Sequence, residues 1–324
     1  MKNMIRTAAA AALMLVAAGG VMAQAWPAKP VKVVIPIPAG GPADSLMRAM
    51  APELSTIWKQ TVVIDNRPGA SGMIGTDAVA KSAPDGYTVL YADSSIATNP
   101  LVFRKMPYDT YRDLMPVTGV VSWRAYLVVN SNVPVNSLPE LIALAKAQPG
   151  KLNYASYGNG SSPHIAIEML KQLAGINLVH VPYKGAAPVL PDIMSGVVQV
   201  AWMSINSIRG AVKEGRVRPI AVDGAKRVAD FPDLPTFNEL GFPQMQANGI
   251  WLGMFVPAGT NPAIVDRIQK DVYAVISEPT FRAQKIIGRN YELVGSTPAE
   301  LTALMKETAE RFAPIVKSAG ISAD

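Results

Sequence analysis

The sequence predicts an α/β protein built as two lobes, and three observations carry that expectation. Short β-branched runs alternate with longer segments of helical periodicity, the pattern of strands packed against helices. The chain has 324 residues, enough for two hydrophobic cores. Its 27 prolines sit mostly at strand-to-helix junctions and no flexible linker stands out, so the chain would pass between lobes in short strands.

The first 25 residues are set aside from the fold as an export signal. Lys2 and Arg6 precede an Ala/Leu/Val/Met run that ends near Gly20, too short to span a bilayer. Ala23-Gln24-Ala25 is a small-x-small cleavage site that would leave Trp26 as the new N-terminus. Removing 25 residues from 324 leaves 299, and losing Lys2 and Arg6 takes the formal net charge from +6 to +4. The remaining Lys and Arg are scattered, the nearest cluster being Arg216-Val217-Arg218, which argues against nucleic acid as a partner. With no cysteine, the sequence excludes disulfides, thiol catalysis and Cys-ligated zinc.

Along the chain, the runs at 31–37, 62–65, 88–92, 125–129, 152–155, 178–181, 198–202, 220–222 and 252–256 read as strands. Between the first two, Leu46, Met47, Met50, Leu54, Ile57 and Trp58 recur at three- and four-residue spacing, which puts one apolar stripe on a helix against the sheet. Ser137-Leu138-Pro139-Glu140 predicts a capping box in which Ser137 and Glu140 each satisfy the other's amide, and Pro149-Gly150 ends that helix. Three more helical patterns follow Pro262, interrupted at Glu278-Pro279 and at Ser296-Thr297-Pro298. Crossings between lobes are expected at 123–129 and 248–252. They give lobe 1 as 26–124 plus 248–324, and lobe 2 as 125–247.

Two strand-to-helix loops carry the chemistry. Ile35-Pro36-Ile37-Pro38-Ala39-Gly40-Gly41-Pro42-Ala43-Asp44 runs from a strand through a Pro/Gly loop into a helix. Gly40 and Gly41 allow close approach of backbone N–H groups, and the positive end of the helix adds to them, which suits a carboxylate. The loop matches neither the P-loop nor the G-x-G-x-x-G spacing, so a plain turn is the alternative. The second loop, 154–164, brings Ser156, Ser161 and Ser162 together with the amides of Gly158 and Gly160, and Ser162-Pro163 is also a standard helix start. In open α/β sheets ligands lie outside the carboxyl ends of strands, so two such loops predict the halves of one anion cradle. A third strand end offers Tyr183, Lys184 and Gly185; Lys184 is either a ligand contact or a solvated side chain.

No catalytic or metal pattern emerges. The two histidines, His164 and His180, lie beside no G-x-S-x-G elbow, and H-E-x-x-H and D-x-D-x-D-G spacings are missing. His164 is expected to order the loop or donate to a ligand, while Asp44 and Asp93 are isolated acids. Asp44 would partner an amine if the ligand were an amino acid. No cofactor is expected.

With these residues in place, the chain resembles the substrate-binding proteins of the tripartite tricarboxylate transporter family, the Bug-type receptors. The resemblance covers nearly all of 26–321. It rests on Trp26-Pro27-Ala28-Lys29-Pro30, the loop from Pro36 to Asp44, Asn66-Arg67-Pro68-Gly69-Ala70-Ser71-Gly72, Pro84-Asp85-Gly86-Tyr87-Thr88 and Met106-Pro107-Tyr108-Asp109. It continues through 155–164, 180–185, Leu234-Pro235-Thr236, Trp251-Leu252-Gly253 and Val256-Pro257-Ala258-Gly259-Thr260. It implies a type II periplasmic-binding-protein fold, with two α/β lobes hinged around a ligand cleft. It also implies a periplasmic monomer that captures small organic carboxylates through amides, hydroxyls and waters and hands them to integral membrane transporter subunits.

By position, the expected ligand-binding residues are Ile37, Pro38, Ala39, Gly40, Gly41, Asp44, Ser94, Ser156, Gly158, Ser161, Ser162, His164, Tyr183, Lys184 and Ser204. Three departures bear on the ligand. The family's usual Pro-Phe-Pro-Pro-Gly-Gly stands here as Pro36-Ile37-Pro38-Ala39-Gly40-Gly41, without the aromatic ring, and Met203-Ser204 replaces a frequent Phe-Asp. Arg124 follows Trp123 where proline is common; it either pairs with a distal carboxylate or decorates the hinge. An aromatic or C4 to C6 dicarboxylate is the preferred expectation, ahead of a nicotinate-type monocarboxylate or an acidic amino acid. A ligand-presenter to a sensor and a secreted hydrolase are the competing classes.

Overall fold

The structure, a computed structural model, describes residues 26–245 and 250–322. The expected signal segment, and the first residues of the expected second crossing, lie outside the described residues.

Two sheets organise the chain. The first has the order β11-β4-β10-β3-β1-β2, from β1 (Val31–Ile35), β2 (Val62–Asn66), β3 (Thr88–Asp93), β4 (Leu114–Trp123), β10 (Ile250–Pro257) and β11 (Tyr291–Leu293). The second has the order β7-β6-β8-β5-β9, from β5 (Ala125–Asn130), β6 (Asn153–Ser156), β7 (Val179–Pro182), β8 (Val200–Ser204) and β9 (Val217–Val222). β1 runs parallel to β2 and β3, and β6 to β7 and β8, while β10 and β5 are antiparallel to their neighbours. Between β4 and β5 only Arg124 intervenes, so one residue carries the chain from sheet to sheet.

The helices are α1 (Pro42–Trp58), α2 (Met73–Ala80), α3 (Ser95–Val102), α4 (Thr110–Asp113), α5 (Leu138–Ala147), α6 (Ser162–Ala174), α7 (Val189–Ser195), α8 (Ile205–Lys213), α9 (Pro262–Ser277) and α10 (Pro298–Ser318), with short helical turns over 279–289. Each sheet is covered on both faces. The α1 stripe of Leu46, Met47, Met50 and Leu54 packs with Val31 and Val33 of β1 and with Ile268 and Val272 of α9. Leu90, Ile96, Leu301 and Met305 fill the opposite face. In the second sheet Ile165, Leu170 and Trp202 line one face, and Val189, Ile193 and Ile208 the other. Covering both faces is what makes β5 and β8 buried along their whole lengths.

Two expectations need correction. β4 and β11 were not expected: Pro116 and Gly119 break the β-branched pattern of β4, yet register shifts against β10 accommodate that stretch. β11 has only three residues. At α5, Ser137 Oγ accepts from Glu140 N–H as expected, but the Glu140 carboxylate takes the Asn136 amide instead of that of Ser137. The reciprocal capping box is at Thr297 and Glu300, opening α10. Of the helices, α10 serves both sheets: Leu301 and Met305 pack with the first, and Phe312 and Val316 with the second.

Candidate functional site

A cleft of about 610 Å³ lies at the carboxyl ends of β1, β2 and β3 from one sheet and of β6, β7 and β8 from the other. This is where open α/β sheets leave room for a ligand. Its walls come from Pro36 to Ala39 and Gly41 to Ala43 after β1, Pro68 to Gly72 after β2, and Asp93 and Ser95 around the end of β3. The second sheet adds Tyr157, Gly158 and Ser161 to Pro163 after β6, Tyr183 to Ala187 after β7, and Ser204 and Ser207. Trp123, Ile250 and Leu252 complete the lining.

Of the expected ligand-binding residues, Ile37, Pro38, Ala39, Gly41, Gly158, Ser161, Ser162, Tyr183, Lys184 and Ser204 line this cleft, and Gly40, Asp44, Ser94, Ser156 and His164 do not. Each of the five has hydrogen bonds within the protein: Gly40 and Asp44 with each other, Ser94 with Ser162, Ser156 with Gly158 and His180, and His164 with Gly160. Asp44 is buried, and its Oδ2 accepts from the Gly40 amide at 2.9 Å and from Arg48 Nε at 2.9 Å. Burial pushes its carboxyl up, but the hydrogen bonds from Arg48, Gly40 and Asn66 outweigh it and hold the pKa below its ordinary value. An anchor that is already paired is not the expected partner for a ligand amine.

Ser156 Oγ accepts from the Gly158 amide at 3.2 Å and lies 2.6 Å from His180 Nε2. His164 Nδ1 accepts from the Gly160 amide at 3.0 Å, so this ring orders the loop, one of its two expected roles. The two imidazoles stack at 3.8 Å between centroids, with Tyr154 4.9 Å from His180. Burial, with the Lys171 charge adding, pushes His164 down to about 4; burial, His164 and Lys171 do the same to His180 against the pull of Glu168.

The expected cradle of glycine amides is therefore corrected. The N–H groups of Gly40, Gly158 and Gly160 are consumed inside their own turns by short polar side chains two to four residues away. What remains unpaired is the first turn of the helices those loops open. Gly41 and Ser161, the N-cap residues of α1 and α6, supply no side-chain cap, Ser161 Oγ donating instead to the Gly158 carbonyl at 2.7 Å. Ser204 likewise leaves the start of α8 uncapped, its Oγ lying 3.0 Å from Ser207 Oγ. Three helix N-termini with orphan amides and positive dipole ends thus border one cleft. At α3 the corresponding amide, that of Ser95, is taken by Asp93 Oδ1 at 3.0 Å.

Sequence reasoning gave no ligand role to Pro68–Gly72, Asp93, Ser95 or Tyr157. Gly69 and Gly72 have positive φ, as do Ala70 and Ser71 between them, so the Pro-Gly-Ala-Ser-Gly run was the available signal for a specially shaped wall. Arg124 is absent from the lining. Its Nε meets Glu292 at 2.8 Å and its Nη1 reaches the carbonyls of Asp223 and Lys226, which joins β11 to the chain after β9. Among the described residues no group of three or more His, Asp or Glu is placed to hold a metal, and no helix is long and apolar enough to cross a membrane.

A cleft between two α/β units, walled by helix N-termini, defines a solute-binding protein. The model of the tripartite tricarboxylate transporter family receptor matches residues 46–321. Protein BugT of Bordetella pertussis is 32% identical over 323 residues, covering 98% of each chain. Among solved structures, an R. palustris protein with adipate shares 34% identity at a TM-score of 0.86, covering 92% of this chain and 99% of that one. The periplasmic binding protein BugD shares 32% at 0.83, covering 92% and 99%. MatC from Rhodopseudomonas palustris with bound malate shares 28% at 0.82, covering 90% and 100%. The chain belongs to the tripartite tricarboxylate transporter receptor family, the Bug-type solute-binding proteins, and has their two-lobed fold.

Proposed function

We propose that this protein is a periplasmic receptor that captures a small organic carboxylate in the cleft and delivers it to the membrane subunits of a tripartite tricarboxylate-type transporter. The observation that carries the reading is the set of uncapped helix N-termini at α1, α6 and α8 around one cavity, because a carboxylate can cap them where no side chain does. Micromolar capture needs about 8 kcal/mol net. Several charge-assisted hydrogen bonds at about 1.5 to 3 kcal/mol each supply that after the ordering cost is met. The adipate and malate of the two relatives support a carboxylate as the guest. Residues 1–25 would direct export and be removed, and 26–124 with 248–324 would form one lobe and 125–247 the other, with α10 packed on both cores and the ligand bridging the lobes.

The protein is a binder and not a catalyst on this reading. Incubating it with a carboxylate panel, while following thermal shift and ligand mass together, is the test. A receptor raises the melting temperature and leaves the mass unchanged. Product formation, or no shift with any carboxylate, would overturn the proposal.

A further inference from the structure

Among the described residues, Asp93 and Lys184 are the charged residues of the cleft lining. Asp93 closes β3, on the first sheet, and is partly exposed. One of its oxygens is occupied: Oδ1 accepts from the Ser95 amide at 3.0 Å and from Ser95 Oγ. Oδ2 has no hydrogen-bond partner among the described residues and is not sealed from solvent, and Asp93 itself is part of the cleft wall. Among the described residues no cation forms an ion pair with Asp93, in contrast to Asp44 with its Arg48. Tyr157, from the opposite sheet, feels the Asp93 charge; burial together with that charge pushes its phenol up. An unneutralised acid in a cleft whose helix ends attract carboxylates repels a second negative group and welcomes a donor.

We propose that Asp93 is a specificity residue, and that the ligand is a carboxylate that also bears a hydrogen-bond donor, an amino or hydroxyl group, seated on Asp93 Oδ2. This rests on the carboxylate reading above and narrows it, moving the amine-partner role from Asp44 to Asp93. Burial raises the Asp93 carboxyl against the lowering effect of the Ser95 hydrogen bonds; a donor seated on Oδ2 would act in the same sense as Ser95, stabilising the ionised form.

The test is calorimetry on the mature chain with matched pairs: succinate against malate and aspartate, glutarate against glutamate, and adipate against 2-aminoadipate. Within at least one length series the substituted member should bind about tenfold or more tightly than its parent. Asp93→Asn should reduce that ratio to within about threefold, mainly by strengthening the parent diacid. Equal affinity within every pair for the wild-type chain overturns the proposal without requiring any variant to fold, and leaves the carboxylate reading standing. An undiminished ratio in a folded Asp93→Asn protein overturns the assignment to Asp93. Failure of every carboxylate to bind sinks both readings.

Discussion

Ser94 Oγ lies 3.0 Å from Ser162 Oγ, in a buried contact between residues 68 positions apart. Ser94 precedes α3 and Ser162 opens α6, so one hydroxyl pair ties a loop of the first sheet to a loop of the second. Sequence reasoning assigned both hydroxyls to a ligand; Ser94 instead spends its side chain on Ser162, which alone of the two reaches the cleft. In a double-mutant cycle on urea unfolding, Ser94→Ala and Ser162→Ala should couple by about 0.5 to 1.5 kcal/mol. Additive losses would show that the pair contributes nothing as a pair.

Gly160 sits behind the same junction with φ +73°, and a Cβ there would fall 2.4 Å from Val102 Cγ1. Gly160→Ala therefore meets both a left-handed backbone and an overpacked contact, and should cost about 2 kcal/mol or more. Val102→Ala in that background should restore part of the loss, since it removes the Cγ1 and Cγ2 contacts at 2.4 and 2.7 Å while the Cβ contact at 2.9 Å and the backbone strain stay. A destabilised double variant with no recovery over Gly160→Ala would argue that the contact is irrelevant.

The stacked histidines give stability a defined pH response. Both folded-state pKa values, about 4, lie below the ordinary 6.5, so the folded protein binds fewer protons than the unfolded chain. Their contribution is complete above pH 6.5 and is lost as pH falls from there towards 4. Asp44, whose pKa is lowered, adds to acid loss below its ordinary value. Melting temperature should thus fall on going from pH 7 to 4.5, and His164→Asn, whose side-chain oxygen can still accept from Gly160, should flatten that fall. An NMR titration placing either imidazole near 6.5 would remove the basis for it.

Arg124 links Glu292 on β11 to the carbonyls of Asp223 and Lys226. Arg124→Ala should lower stability by about 1 to 2 kcal/mol, most of it from the carbonyl contacts because the Glu292 side of the pair is exposed. The ratio of dicarboxylate to monocarboxylate affinity, whatever its wild-type value, should not change, since the guanidinium lies outside the cleft wall. A selective loss of dicarboxylate binding would return Arg124 to the ligand.

Periodicity made the α1 stripe legible, and strand-to-helix loops with Pro and Gly located most of the wall. Two kinds of information were not local. Pro116 and Gly119 hide β4 because the register shifts that accommodate them exist only once β10 is alongside. Counting glycine amides overestimated the cradle because whether an amide is free depends on which side chain folds back to it: Asp44 for Gly40, Ser156 for Gly158, His164 for Gly160. The accessible oxygen of Asp93 is likewise invisible in sequence, where the residue is one acid at the end of a strand.

The helix at the C-terminus, α10, has Leu301 and Met305 gripped by the first sheet's core and Phe312 and Val316 by the second's. A helix anchored at its two ends in different cores has to travel with both. On the proposed receptor reading, any displacement of one wall relative to the other therefore repacks one end of α10, and loosening Phe312 or Val316 should change how readily the walls move.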